Sequence, residues 1–315
     1  MEVRNKRILK GIDVSRGVGL EIGPLSSPIL SKSEANIFYL DHMSTPDLRE
    51  KYKDEPVTLE KIVNVDYVLQ ENNLDQTVKG KKFDYVLASH VIEHIPDMVS
   101  WLAQLEGILR PEGVVSLIIP DKRYIFDISR RVTLPAEVVG AHLDKLGRFS
   151  SAMIYDFASE CKVEVETTRA WRDPEFCLES PKRWDIEDAY RMCLDNLDPT
   201  KYVDCHCFVF TPRSFVDILK ALMQHRLLNF EVVSFLETQE NEIEFYVSLK
   251  KIDPKKVTLK HQLNSLPVFS EEVDPVKQLQ QEVDRLQSAL SLMTNSVSWK
   301  VTSPLRKVKS IRRQK

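Results

Sequence analysis

FDYVLASHVIEHIPD, at residues 83–97, begins with the last of four short apolar runs that each end in polar groups and together predict the fold. The other three runs are VGLEIG at 18–23, IFYLD at 37–41 and IVNVD at 62–66. Runs this short and this rich in β-branched and aromatic residues are typical of strands in a parallel sheet covered on both faces. Their polar ends are expected to meet at the carboxyl edge of the sheet, where ligands bind in such folds.

A helix and a fifth strand follow this stretch. The apolar residues of 98–109 recur at helical spacing, and Pro111 and Gly113 then break the pattern. The run VVSLIIP at 114–120 has the character of another buried strand. The sequence therefore predicts an α/β fold with the element order βαβαβ.

Several motifs in this region resemble those of one enzyme family. They are EIGP at 21–24, an acid after each of the next two runs, FDYVLASHVIEHIPD at 83–97 and LRPEGVVSLIIPD at 109–121. Over roughly residues 1–250 the chain resembles the class I S-adenosylmethionine (SAM)-dependent methyltransferases, especially the branch found with bacterial surface-polysaccharide enzymes. The resemblance implies a Rossmann-like seven-stranded sheet and SAM as the cofactor. It departs from the family at Leu25, where typical members have a second glycine in the first loop.

The composition indicates a cytoplasmic enzyme. The chain has 315 residues, 43% hydrophobic and 29% charged, and no apolar run approaches the ~18 residues that cross a bilayer. The first residues, MEVRNKRILKG, lack the apolar stretch of a secretory signal. The five cysteines form neither a disulfide framework nor a CxxC pair. We expect no metal site, because Cys205, His206 and Cys207 are spaced more closely than zinc ligands prefer.

The chain is expected to divide into several segments. A cofactor-binding core at 1–123 is followed by a mostly helical and irregular insertion at 124–205, which we expect to shape the acceptor pocket. The core is completed over 206–251, where Thr211 and Pro212 provide an N-cap and a first helical position. Two antiparallel strands, at 230–236 and 243–250, are then expected to close the sheet.

The end of the chain has a different character. A proline-containing linker at 252–275 leads to a heptad pattern at 276–298, which predicts a coiled-coil helix. About three heptads are marginal alone, so we expect self-association or docking to support this helix. The tail at 299–315 contains seven Lys or Arg and no acid. Because the whole chain carries a net charge of −3, the remainder carries −10.

This charge asymmetry indicates a binding partner. An anionic membrane surface at the inner face of the membrane is one candidate, and a partner glycosyltransferase is another; nucleic acid is the less favoured alternative. The string NSVSWKVTSPLR at 295–306 resembles the tails of bacterial envelope glycosyltransferases and associated methyltransferases. That resemblance favours a polysaccharide setting.

Residues near the strand ends are the candidates for binding SAM. They are Glu21, Gly23, Pro24, Asp41, Asp66, Tyr67 and Ser89. The resemblance implies that Glu21 orders the amino-acid moiety of the cofactor and that Asp41 accepts both ribose hydroxyls. It places Asp66 with Tyr67 at the adenine. A capping or turn-forming role is the alternative for each acid.

Three residues are candidates for the catalytic base. A hydroxyl acceptor loses a proton when it is methylated, and a histidine titrates near neutrality, so His90 at the end of the fourth run suits this work. Its alternative role is a hydrogen bond to the cofactor. Asp121 after the fifth run could orient an acceptor hydroxyl or belong to a charged loop, and His206 could be a second base or a buried structural histidine. We expect His94 to be a structural cap.

These observations predict a SAM-dependent methyltransferase that acts on a hydroxyl of a sugar or glycan in polysaccharide assembly. A small-molecule methyltransferase is one alternative, but it leaves the basic tail unexplained. A non-catalytic scaffold with the same fold is the other, and it would explain Leu25 by loss of cofactor binding.

Overall fold

The computed structural model describes residues 3–269 and three isolated positions, Val283, Leu286 and Gln287. The chain divides into two compact units, residues 1–267 and residues 268–315. The three isolated positions are helical and exposed. The rest of the predicted coiled-coil helix and the whole basic tail lie outside the described residues.

The described residues form a seven-stranded sheet with the order β3-β2-β1-β4-β5-β7-β6. The strands are β1 Val18–Ile22, β2 Asn36–Asp41, β3 Tyr67–Val68, β4 Phe83–Ser89, β5 Leu109–Pro120, β6 Phe230–Leu236 and β7 Glu244–Lys251. Neighbours from β3 to β5 pair in parallel, whereas β7 is antiparallel to both β5 and β6. The predicted Rossmann-like α/β sheet is confirmed.

Helices flank this sheet. They are α1 Val3–Ile8, α2 Thr45–Lys51, α3 Leu74–Thr77, α4 Met98–Ile108, α5 Pro135–Leu143, α6 Ser151–Glu160, α7 Thr167–Arg172, α8 Pro174–Leu178, α9 Ile186–Leu197, α10 Pro212–Gln224 and α11 Leu259–Asn264. The predicted start of α10 is confirmed, because Thr211 is its N-cap and exchanges hydrogen bonds with Ser214 in a capping box.

The first connection of the sheet differs from the predicted βαβ order. Residues 24–35, all of them described, form turns rather than a helix. Two prolines in this loop lack N–H donors, which disfavours a regular helix there. The buried carboxylate of Glu21 accepts the N–H of Ile29 at 2.7 Å, and this bond takes the place of helical hydrogen bonds in holding the loop against β1.

The third strand also lies later in the sequence than predicted. The sequence predicts a strand at 62–66, but Val63 and Val65 bond outside the sheet, and pairing with β2 begins at Asp66, whose N–H donates to the carbonyl of Tyr39 at 2.8 Å. The N–H of Val63 donates to the carbonyl of Leu25 at 2.9 Å, and that of Val65 donates to Thr45 Oγ1 at 2.9 Å. Regular pairing with β2 therefore covers only the two residues of β3.

The sheet buries apolar side chains on both faces, as expected for strands covered by helices and loops. Along β4, Val86 packs into the cluster on one face and Tyr85 and Leu87 pack into the cluster on the other. Gly19 on β1 faces the ring of Tyr85, and a Cβ at this glycine would come within 2.2 Å of that ring. Only glycine fits there without displacement of Tyr85.

The segment between β5 and α10 contains helices α5 to α9, in agreement with its predicted helical and irregular character. Its assignment as a separate acceptor-side segment remains a prediction.

The first part of the predicted linker at 252–275 packs against the core. Gln262 on α11 donates to the carbonyls of Leu228 and Phe230 at 2.6 and 2.8 Å. Among the described residues, no helix has the length and apolar character needed to cross a membrane.

Candidate active site

The carboxyl edge of the sheet brings the loops after β1 and β4 into contact. Gly23 has a φ of +67°, and a Cβ there would lie 3.2 Å from the Cγ2 of Val91. Leu25 also adopts a left-handed conformation, with a φ of 44°. The position where the family resemblance implies a second glycine therefore keeps a backbone conformation that glycine favours, at a cost of roughly 1–2 kcal/mol for a residue with a Cβ.

The Glu21 carboxylate holds the loop after β1 in place through hydrogen bonds to its backbone. It is 1% exposed, and besides the bond to Ile29 it accepts the N–H of Leu30 at 3.4 Å. Burial raises the pKa of Glu21 to about 7, against the opposing effect of these N–H groups and of Arg4. The predicted cofactor contact of Glu21 would therefore act through the loop that it shapes.

Asp41 ends β2 and is buried at the same edge. Its Oδ1 accepts the backbone N–H of His42 at 2.7 Å and lies 2.6 Å from the Nδ1 of the same residue. The His42 ring stacks on Tyr202, with the ring centroids 5.9 Å apart. The end of the insertion thus lies beside the position predicted for the ribose.

Asp66 lies just before β3 rather than beyond its carboxyl end. Its Oδ2 accepts the N–H of Tyr39 at 2.8 Å, and its Oδ1 accepts from Lys32 Nζ at 2.6 Å. Its predicted contact with adenine, together with that of Tyr67, remains a prediction. Beyond β3, at the edge itself, lie Gln70 to Asn72, which the sequence did not single out.

His90 follows β4 and belongs to a hydrogen-bonded cluster. Its Nε2 lies 2.9 Å from Glu244 Oε2, and its backbone has a left-handed φ of 53°. Arg4 on α1 donates to Glu244 Oε1 at 2.6 Å and to Ser89 Oγ at 2.6 Å, and the Tyr246 hydroxyl donates to Glu244 Oε1 at 2.8 Å. Ser89, predicted to contact the cofactor, is thus bonded to the N-terminal helix.

Glu244 is the negative centre of this cluster. Burial raises its pKa, but the hydrogen bonds from His90 and Arg4 outweigh burial and lower the pKa to about 2. Because Glu244 is ionised it acts as an acceptor, so Nε2 is the ring nitrogen of His90 that faces it, and Nδ1 lies on the side of Glu93. The sequence did not identify Glu244 or Arg4, although a single acid at the start of an apolar strand is a signal for Glu244.

Asp121 is bonded to its own loop and to the loop between β6 and β7. The carboxylate is 0% exposed and accepts from the Arg123 guanidinium at 2.7 Å and from the Thr238 hydroxyl at 2.7 Å. These contacts favour a structural role for Asp121 over the predicted catalytic one.

A second cluster lies next to His90. His206 is hydrogen-bonded through Nδ1 to Asp127 Oδ2 at 2.6 Å, and His94 through Nδ1 to Asp204 Oδ1 at 2.9 Å. The two imidazole rings meet edge to face, with their centroids 4.7 Å apart. His94 thus contacts both Asp204 and His206, whereas the sequence predicts a structural cap at this position.

Glu93 links the two clusters. It is 0% exposed, and its Oε1 lies 3.8 Å from His90 Nδ1, too far for a hydrogen bond. Within the described part of the chain, neither of its carboxylate oxygens has a hydrogen-bond partner. A buried carboxylate without partners costs free energy, so this position points to a functional demand.

A cleft of about 470 Å³ adjoins this region. Its lining includes Arg130, Ser150, Asp156 and Cys207. Arg130 connects the cleft to the second cluster, because it donates to Asp127 at 2.8 Å as well as to Asp156 at 2.8 Å. The insertion therefore contributes a cleft next to His206 that is lined by charged, hydroxyl and apolar side chains.

Comparison with known proteins identifies the family. The profile of a family described as a methyltransferase domain matches residues 11–222, more than half of the chain, and the chain belongs to this family. The protein is therefore a SAM-dependent methyltransferase, with SAM as its cofactor. No curated protein matches the sequence.

Solved structures with a similar fold include the methyltransferase CcbJ from Streptomyces caelestis, with 10% identity, a TM-score of 0.39, and coverage of 79% of this chain and 94% of that chain. The N-methyltransferase NodS from Bradyrhizobium japonicum WM9 has 9% identity and a TM-score of 0.36 over 79% of this chain and 95% of its own. The CurJ carbon methyltransferase has 14% identity and a TM-score of 0.36 over 78% of this chain, and the match spans about half, 51%, of that chain.

The residues at the carboxyl edge fit a bound SAM. Gly23 keeps its loop close to Val91, where a side chain would take up space, and Asp41 presents a buried carboxylate at the end of β2. A carboxylate in this place suits a ribose diol, since it accepts hydrogen bonds from hydroxyl groups.

Proposed function

We propose that this methyltransferase transfers the methyl group of SAM to a hydroxyl of a sugar or glycan in bacterial surface-polysaccharide assembly. The observation that carries the proposal is the hydrogen-bonded pair of His90 and Glu244 at the end of β4. A hydroxyl acceptor needs a base, and a histidine oriented by an ionised carboxylate is well suited to this role.

The chemistry follows from how the pair is arranged. SAM, when bound, supplies a methyl group activated by its sulfonium. Glu244 fixes the ring of His90 by accepting its Nε2–H, so Nδ1 is available for the proton that the acceptor hydroxyl gives up. Arg4 and Tyr246 hold Glu244 in the ionised state and in position. The loops of Gly23 and Asp41 align the donor with the acceptor.

The sugar or glycan acceptor is supported by three features. The motifs at 83–97 and 109–121 and the string at 295–306 resemble those of polysaccharide-associated enzymes. The cleft beside Arg130 combines an apolar lining with a few charged and hydroxyl side chains, and these polar groups could accept and donate hydrogen bonds to a hydroxylated acceptor. The basic tail supports a location near an anionic membrane or a partner glycosyltransferase, where glycans are assembled. A small-molecule hydroxyl acceptor is the second candidate, because the site residues alone serve either substrate.

The test is transfer of an isotope-labelled methyl group from SAM to a panel of nucleotide sugars, lipid-linked oligosaccharides and small phenols. We expect label in an alkali-stable methyl ether on a carbohydrate, and we expect His90→Gln to abolish it. Label only on the small molecules would favour the second candidate. No transfer to any hydroxyl, with SAM bound, would contradict the proposal.

A further inference from the structure

We propose that Glu93, His94 and His206 bind a divalent transition-metal ion. One ligand atom from each of these side chains lies within 4.8 Å of the other two. In the described part of the chain this is the one such group of metal-ligating side chains. The inference does not depend on the identity of the acceptor, and it replaces the expectation from the sequence that the chain has no metal site.

The state of Glu93 is the first observation that calls for a cation. Both carboxylate oxygens are buried and lack a hydrogen-bond partner, while its backbone carbonyl accepts the N–H of Cys207 at 2.8 Å. That bond fixes the peptide between Glu93 and His94 against the segment that carries His206. The three side chains are thus held together by the backbone, and the carboxylate needs a positive partner.

The orientation of the two histidines is the second observation. The Nδ1 of His94 is bonded to Asp204 and the Nδ1 of His206 is bonded to Asp127. Each ring is therefore left with Nε2 as the nitrogen that can ligate an ion. A carboxylate bonded to the far nitrogen is the usual outer partner of a metal-bound histidine, where it fixes the tautomer and makes the ligand more basic.

The charges around the group agree with a divalent ion. Glu93, Asp127 and Asp204 are three carboxylates, and Arg130, bonded to Asp127, is the cation that pairs directly with them besides the histidines. Asp156 shares the same guanidinium at 2.8 Å. With both histidines neutral, as metal ligation requires, the carboxylates around the group outnumber this cation, and a divalent ion offsets the excess negative charge.

The geometry requires only side-chain adjustment. Metal bonds of about 2.1 Å place neighbouring donor atoms roughly 3 Å apart, so the three ligand atoms, now at most 4.8 Å apart, would close by no more than about 2 Å. Side chains reach such distances by changes of rotamer. Three protein ligands leave coordination positions open for an oxygen ligand, as in sites that take part in chemistry rather than in folding alone.

The donor set selects the kind of ion. Two imidazole nitrogens and one carboxylate suit zinc, manganese, iron or cobalt, whereas magnesium and calcium prefer oxygen donors. The nearby thiol of Cys207 is buried and donates to the backbone carbonyl of Glu93 at 3.2 Å.

The experiment uses Co²⁺ as the probe on the full-length protein after metal is removed with a chelator. We expect one Co²⁺ per chain, seen as visible absorption and by calorimetry, and displacement of Co²⁺ by Zn²⁺. Glu93→Gln keeps the side-chain shape and removes the charge, and it should weaken Co²⁺ affinity by about 100-fold or more. His94→Gln, at a side chain that is 29% exposed, should do the same.

The matched control is His261→Ala. His261 also contacts a carboxylate, Glu231 at 3.0 Å, but lies outside the proposed group, so its removal should leave Co²⁺ affinity unchanged. Thermal unfolding without metal verifies that each variant is folded. Added Co²⁺ should raise the unfolding temperature of the wild type but not that of the Glu93→Gln and His94→Gln variants. Absence of stoichiometric Co²⁺ binding by the wild type, or equal affinity in folded Glu93→Gln and His94→Gln, would overturn the proposal.

Discussion

At the scale of single residues, the site depends on carboxylates that set the state of neighbouring histidines. Glu244 fixes His90, while Asp127 and Asp204 fix His206 and His94. The sequence singled out His90 because it follows a buried strand, and His206 because it lies where the insertion rejoins the core. It did not identify their carboxylate partners, since Glu244 is 154 residues from His90 and no local spacing connects them.

The first prediction concerns the pair of His90 and Glu244. His90→Gln should lower kcat ~10²-fold or more, and Glu244→Gln should lower it ~10-fold or more, because the second change leaves the ring in place but removes its orienting charge. Steady-state kinetics and calorimetry with S-adenosylhomocysteine separate turnover from cofactor affinity, which should change little in either variant.

Glu242→Gln is the control for this prediction. Glu242 pairs with Arg7 on the same helix as Arg4 but does not contact His90, so its loss should leave kcat near the wild-type value. If His90→Gln and Glu244→Gln each kept full turnover while their cofactor affinity collapsed, His90 would be a cofactor ligand and not the base.

At the scale of elements, predictions held where a run had strong periodicity and clear end signals. Helix α4 and the start of α10 were identified from apolar spacing and from Thr211 and Pro212. The loop at 24–35 and the short β3 were missed, because their conformations are set by bonds to distant groups. In the loop, a hydrogen bond to the Glu21 carboxylate takes the place of helical hydrogen bonds. Before β3, Val63 and Val65 bond outside the sheet.

The loop after β1 should make stability depend on pH. The pKa of Glu21 is about 7 in the folded protein, above its ordinary value near 4.5, so between these pH values the folded state binds the extra proton. Stability relative to Glu21→Gln should therefore fall by about 3 kcal/mol as the pH rises from 4.5 to 8, and level off above the folded pKa.

Urea unfolding of both proteins at several pH values measures this difference. The glutamine variant serves as the reference, since it lacks the titrating group at the same position. A stability difference that stays constant or rises across that range would show that Glu21 is ionised throughout and that burial does not govern its pKa.

At the scale of the whole molecule, the seven-stranded sheet and the family match both agree with the predicted methyltransferase fold. The predictions for the segment beyond the core, in contrast, rest on the sequence alone. The basic tail and the heptad pattern were read from charge and spacing, and they lie outside the described residues apart from three positions. The proposed metal site shows the opposite case. Glu93 and His206 are 113 residues apart, and only the fold brings them together.

Deletion of residues 276–315 should separate binding to a surface from binding of the cofactor. We expect the truncated protein to bind S-adenosylhomocysteine like the full chain but to lose association with vesicles that contain anionic lipid, because each Lys or Arg near such a surface contributes ~1 kcal/mol. Vesicle co-sedimentation measures the association, which should weaken at higher salt in the full chain.

A variant with the seven Lys and Arg of 299–315 changed to Gln is the matched control, since it keeps the heptad segment. It should lose vesicle binding as the deletion does. Retained binding in this variant would assign the association to the heptad segment, and loss of cofactor binding in the deletion would show that the tail belongs to the catalytic unit.

The most direct test of the account is calorimetric titration with S-adenosylhomocysteine of the wild type, Asp41→Asn and Asp84→Asn. Both aspartates lie on strands of the sheet, but Asp41 ends β2 at the carboxyl edge, whereas Asp84 lies at the start of β4 and bonds to Val18 N–H at 2.7 Å. We predict that Asp41→Asn weakens affinity ~10–100-fold, since the amide NH2 replaces one of the two acceptor oxygens and the negative charge is removed, and that Asp84→Asn does not. Unchanged affinity in a folded Asp41→Asn protein would contradict the placement of the cofactor at this edge.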